Sequence, residues 1–232
     1  MARKSKELNL KNNLPKSSKK KCDLNKSKGK INKSGRDSKD LILENIIKIY
    51  CNAHETEPNY FKAFAEDVKK SKISNVEVVI NNNRKGKDPL DLVKYVIENK
   101  KNIREIWVVF DKDHFAIEEA IKLAIENDIK VAWSNESFEL WFLLHFNYRS
   151  TAIGRGECLK VVKDEFKKKL KIDYAKNNKE SYKKLKNKMN IAIANAKRLY
   201  QEMKRDKVTP SKANPCTTVF QLVEVLKNKI EW

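Results

Sequence analysis

The run Ile106-Trp-Val-Val-Phe110 constrains the fold more than any other stretch. Its five residues are all apolar or aromatic, and it stops abruptly at Asp111-Lys112-Asp113. A strand that is apolar on both faces must be covered on both faces, as in a central strand of a parallel sheet. Two carboxylates then lie two positions apart at its C-terminal tip, and extended backbone past Phe110 points both to one side. Like charges that close repel unless a cation lies between them, and carboxylate oxygens suit Mg²⁺ or Mn²⁺. In open α/β sheets, ligands bind beyond the carboxyl ends of the strands. Asp111 and Asp113 are therefore candidate metal ligands, with a solvated turn as the plain alternative.

The flanking sequence alternates strand and helix patterns. Residues 46–51, 76–80 and 129–133 read as strands; 58–70, 89–99, 115–126 and 138–146 read as helices. Alternation of this kind predicts a mainly parallel sheet with right-handed crossovers. Pro58 suits a helix start with Thr56 as its cap, and Asp88 caps the second helix. Glu55 and Glu57 fall in the first strand-to-helix loop, as metal ligands or as acids favoured by the helix dipole. Ser134 and Asn135 follow the fourth strand as caps. The helix after them is apolar nearly all round, so it should be buried. Glu139 inside it is an anomaly, since a buried carboxylate is costly unless paired or bound to a cation. His145 on the same helix reads as a core histidine or a supporting polar group.

Beyond residue 150 the pattern turns helical and basic, with helices expected at 158–170, 181–204 and 217–229. Net charge is +20. Residues 1–40 carry 14 basic and 4 acidic side chains, residues 160–212 carry 18 and 6, and the remainder sums to −2. A near-neutral body with two basic segments suits a polyanion partner. Candidate backbone-binding residues are Lys85 and Lys87 in a polar loop, and Lys167, Lys168, Lys183, Lys184 and Lys186 on the helices; a solvated face is the bland alternative. Residues 1–40 are too polar to offset ordering entropy and read as a disordered basic arm. Residues 41–150 read as the α/β domain and 151–232 as a basic helical extension packing on it. Four scattered cysteines without paired spacing argue against zinc and for reduced thiols in the cytoplasm. No apolar run reaches membrane length, and the charged N-terminus lacks a signal-peptide pattern.

Four stretches together resemble one family. They are Thr56-Glu-Pro-Asn-Tyr-Phe61, Trp107-Val-Val-Phe-Asp-Lys-Asp-His-Phe115, Ser134-Asn-Glu-Ser-Phe-Glu-Leu-Trp-Phe-Leu-Leu-His-Phe146 and Asn214-Pro-Cys-Thr-Thr-Val219. They look like the RloB family, and the likeness runs from about residue 46 onward. The resemblance implies a TOPRIM-like catalytic domain, Mg²⁺-dependent nuclease activity on DNA or RNA (tRNA included), a phage-defence or abortive-infection role, and an RloA-type or ABC ATPase partner. It assigns Asp111, Asp113 and Glu57 to the catalytic site, supported by Ser134, Asn135 and Glu139. The sequence departs from the pattern after the first strand, where such domains usually carry Glu-Gly and this chain has Asn52-Ala53. Asparagine offers one neutral carbonyl oxygen and is no base near pH 7. Either Glu55 or Glu57 substitutes from the same loop, or the chain is an impaired member that binds nucleic acid or regulates an ATPase. A nucleotidyl-transfer enzyme is a further class, since TOPRIM domains also serve primases.

Overall fold

The computed structural model describes residues 46–71, 75–80, 88–100, 103 and 105–230. The expected N-terminal arm, Lys85 and Lys87 lie outside the described residues. Five strands form one sheet: β1 (Ile46–Cys51), β2 (Asn75–Ile80), β3 (Glu105–Asp111), β4 (Lys130–Asn135) and β5 (Cys216–Thr217), in the order β2-β1-β3-β4-β5. The first four are parallel, and β5 joins β4 antiparallel. The helices are α1 (Thr56–Ser71), α2 (Pro89–Asn99), α3 (Glu118–Glu126), α4 (Glu139–Leu143), α5 (Arg155–Glu165), α6 (Ser181–Leu185), α7 (Met189–Arg205) and α8 (Val219–Lys227). The chain is an α/β protein with a mainly parallel sheet flanked by helices, as the alternation predicts.

Strand alternation separates two cores. Ile47, Ile49 and Cys51 of β1 and Trp107 and Val109 of β3 join one cluster with α1, α4 and much of the later helical region. Tyr50 and Ile106, Val108 and Phe110 join the other, with α2 and α3. Adjacent residues of a strand point to opposite faces, so β3 is apolar on both sides because both sides are covered. The same parity sends Asp111, two residues past Val109, toward the α1–α4 face. There Trp141, Tyr60, Phe61, Phe64, Phe138 and Phe142 are each at most 1% exposed. Each aromatic ring of this kind contributes on the order of 2–3 kcal/mol by leaving water.

Several boundaries differ from the sequence expectation. Helix α1 begins at Thr56, so Thr56 and Glu57 lie within its first turn. Ser134 and Asn135 are the last residues of β4, because pairing with Cys216 and Thr217 extends that strand beyond its apolar run. Strand β5 replaces the expected start of the last helix. Its threonines hold it: Thr217 Oγ1 donates to the Trp133 carbonyl at 3.0 Å, and Thr218 N donates to the same carbonyl at 2.9 Å. Helix α3 starts at Glu118, not residue 115, and Ile125 on it is 65% exposed. The expected helix over 158–170 begins at Arg155 and ends in a π-turn (Phe166–Leu170), and that over 181–204 is broken by a 3₁₀ turn (Lys186–Lys188).

Candidate active site

The connection from β1 leads to β2 on one side, and the connection from β2 crosses over β1 to reach β3 on the other, so the sheet order reverses between β1 and β3. In parallel α/β sheets that reversal opens a crevice beyond the strand ends. Here it is a cleft of about 400 Å³, lined by Asn52, Ala53, His54, Glu55, Thr56 and Glu57 after β1, Asp111 at the end of β3 and Asp113 beyond it, Phe138 just before α4 and Glu139 at its start, Arg155 from α5, and Lys176. Asp111, Asp113, Glu57, Glu55 and Glu139 are thus brought together from separate chain segments.

Each carboxylate has a different setting. Glu57 and Glu139 are each 2% exposed, whereas Glu55 is exposed at the rim. Asp111 closes β3. Asp113 lies past the strand in the left-handed region at φ 46°, so extended backbone does not carry the pair to one side. The Asp113 amide donates to the Glu136 carbonyl at 3.3 Å, which fixes the turn. Tyr174 Oη donates to Glu139 Oε1 at 3.2 Å, and Lys176 Nζ stands 3.6 Å from the same oxygen.

The electrostatics follow from burial and crowding. Burial raises the Glu57 carboxyl to about 7, and the Glu139 carboxylate adds to the rise. Burial also pushes Asp111 well above the usual range, reinforced by Glu57 and Glu139. Carboxyls that disfavour their charged form beside one another make a site that gains from a cation. The donor set is all oxygen, and Asp111 Oδ1 is buried without a hydrogen-bond partner among the described residues. These features fit a hard divalent cation. As the side chains stand, no three acidic, histidine or cysteine side chains among the described residues are grouped to hold an ion. The guanidinium of Arg155 spans the space instead, 2.9 Å from Asp111 Oδ2 and 2.7 Å from Asp113 Oδ1.

Ser134, Asn135 and His145 do not line the cleft; they build its frame. The Ser134 and Thr217 hydroxyls share a hydrogen bond of 2.9 Å across β4 and β5. Asn135 Nδ2 donates to the carbonyls of Pro210 and Ser211, both at 3.1 Å. His145 Nδ1 lies 2.8 Å from the Trp141 carbonyl, and burial lowers its pKa to about 4, so the ring is neutral near pH 7. Lys167, Lys168, Lys183 and Lys184 are exposed, whereas Lys186 is engaged with Asp67 at 2.8 Å. Arg155 and Lys176 escaped the sequence reading. No periodicity marks either, since Arg155 opens a helix and Lys176 lies in a loop.

A family model described as "RloB-like protein" matches residues 47–226. No curated protein and no solved structure matches.

Proposed function

The chain belongs to the RloB-like family, and from that premise we propose that it is a metal-dependent nuclease of a phage-defence system, cleaving phosphodiester bonds in DNA or RNA on a TOPRIM-like domain. The observation that carries this is the meeting of Asp111, Asp113, Glu57 and Glu139 in one cleft at the reversal point of the sheet. Asp111 and Asp113 would hold Mg²⁺ or Mn²⁺, with Glu57 completing the set and Glu55 reaching from the rim. A bound divalent cation supplies charge stabilisation at the scissile phosphate. Where Glu55 rather than Glu57 completes the set, Glu57, raised to about 7 in the metal-free site, is free to accept a proton near neutral pH. Glu139, held by Tyr174, adds a further carboxyl group to the cleft. Exposed lysines of the helical region would hold the nucleic-acid backbone without reading sequence. An ATPase partner of the RloA or ABC type accords with the family and with the defence role. The test is cleavage of DNA, RNA and tRNA with and without Mg²⁺.

A second function has its own supporting observation. Asn52 and Ala53 line the cleft where the family pattern places Glu-Gly. The alternative is an impaired member that binds nucleic acid or regulates an ATPase. Asn52→Glu separates the two. A large gain in cleavage marks the natural site as impaired, and salt-sensitive binding without cleavage in either form marks a binding subunit.

A further inference from the structure

We infer that Arg155 is an exchangeable counter-ion: it closes Asp111 and Asp113 while no cation is bound, yields them to a divalent cation, and then holds the substrate phosphate. The second half rests on the nuclease proposed above; the first half does not.

Three observations carry the exchange. The guanidinium touches one oxygen of each aspartate, at 2.9 and 2.7 Å, so it stands between the two carboxylates that a metal would need. Asp111 Oδ1, the oxygen the guanidinium does not touch, is buried without a hydrogen-bond partner among the described residues. The Arg155 side chain remains 42% exposed, and its Nε is buried without a partner among the described residues. It is therefore held by two ion pairs rather than locked by packing on every side.

The backbone that presents Arg155 is fixed. Its amide donates to Glu136 Oε2 at 3.0 Å. Two residues earlier, Ile153 is bracketed by Asn214: the Ile153 amide donates to Asn214 Oδ1 at 3.0 Å, and Asn214 Nδ2 donates to the Ile153 carbonyl at 3.2 Å. Glu136 and Asn214 belong to the two family-like stretches that follow β3 in sequence. Both serve to place the start of α5 against the β3 tip. A fixed backbone carrying a long side chain whose Nε has no partner among the described residues is suited to movement between two nearby partners.

Charge balance favours the exchange. Apart from exposed Glu55, four carboxylates face two cationic side chains, Arg155 and Lys176, in this cleft. A divalent cation would favour the ionised form of all four, and the two negative charges then left over match its charge. The displaced guanidinium stays in the cleft, and a phosphodiester entering there matches its planar fork of donors.

Full-length Arg155→Gln and Arg155→Lys chains test this, with Mn²⁺ affinity measured by titration calorimetry and cleavage measured at saturating Mn²⁺. Thermal unfolding of each variant verifies the fold. The expected result for Arg155→Gln is Mn²⁺ binding at least fivefold tighter, with cleavage at least tenfold slower. Arg155→Lys, which keeps the charge but loses the fork, should fall between. Unchanged or weaker Mn²⁺ binding by both variants overturns the exchange. Unchanged cleavage at saturating Mn²⁺ overturns the phosphate role. Wild-type protein that binds Mn²⁺ but cleaves nothing excludes the nuclease, and the exchange is then judged on the affinities alone.

Discussion

The Tyr174 hydroxyl donates a 3.2 Å hydrogen bond to Glu139 Oε1, so a carboxylate only 2% exposed is pinned at the cleft wall by a residue 35 positions away. Tyr174 is itself 5% exposed. Removing the tyrosine hydroxyl leaves Glu139 Oε1 with only the longer 3.6 Å contact to Lys176 Nζ among the described residues. Tyr174→Phe should therefore destabilise the fold by about 1–3 kcal/mol, the usual cost of an unsatisfied buried group. Urea unfolding measures it; a change within about 0.5 kcal/mol, the range of neutral surface substitutions, would show the hydrogen bond to be dispensable.

Glu57 gives the protein a pH-dependent stability. Its carboxyl titrates near 7 in the folded state, against 4.5 ordinarily. Between those values the native state keeps a proton that the unfolded chain has released, so stability falls as pH rises through this window. Glu57→Gln lacks the titration. In metal-free buffer the wild type should lose about 3 kcal/mol relative to this variant from pH 4.5 to above 7, at roughly 1.36 kcal/mol per pKa unit. Urea unfolding across the series checks this, and a constant difference would show an unperturbed carboxyl.

Lys186 and the exposed lysines should separate by assay. Lys186 pairs with Asp67, whose carboxyl is lowered to about 2, with burial opposing that shift and Lys186 and Lys70 causing it. Lys186→Met should cost stability, on the order of 1 kcal/mol for a partly exposed pair. The loss fades as pH falls through the folded-state value near 2. Lys167→Glu with Lys168→Glu should leave stability unchanged and weaken nucleic-acid binding. Its dependence on log salt should flatten by about 1 for each phosphate that these lysines neutralise in the wild type. Melting curves and salt titrations of binding distinguish the two kinds of lysine.

The parallel sheet was legible because it rests on periodicity; the strand order, and so the point where it reverses, was not. A five-residue apolar run of this kind is best buried inside a parallel sheet, and its end marks where Asp111 must lie. Glu139 was legible by contrast, as one charge in an apolar helix. Other features were hidden for physical reasons. A two-residue strand such as Cys216–Thr217 has no period to detect, so the fourth strand's apolar run suggested an end before Ser134 and Asn135. The positive φ of Asp113 depends on the Glu136 carbonyl, a tertiary interaction. Arg155 reaches the site from 44 residues beyond Asp111, and only the folded chain brings them together.

Mn²⁺-dependent cleavage by wild-type protein and by Asp111→Ala, compared on the same DNA, RNA and tRNA substrates, bears most directly on the function. Asp111 supplies an oxygen at the tip of β3 that is buried without a hydrogen-bond partner among the described residues. The expected result is metal-dependent cleavage by the wild type and a loss of at least a hundredfold in the variant. Equal cleavage by the two proteins would contradict a catalytic centre built on Asp111.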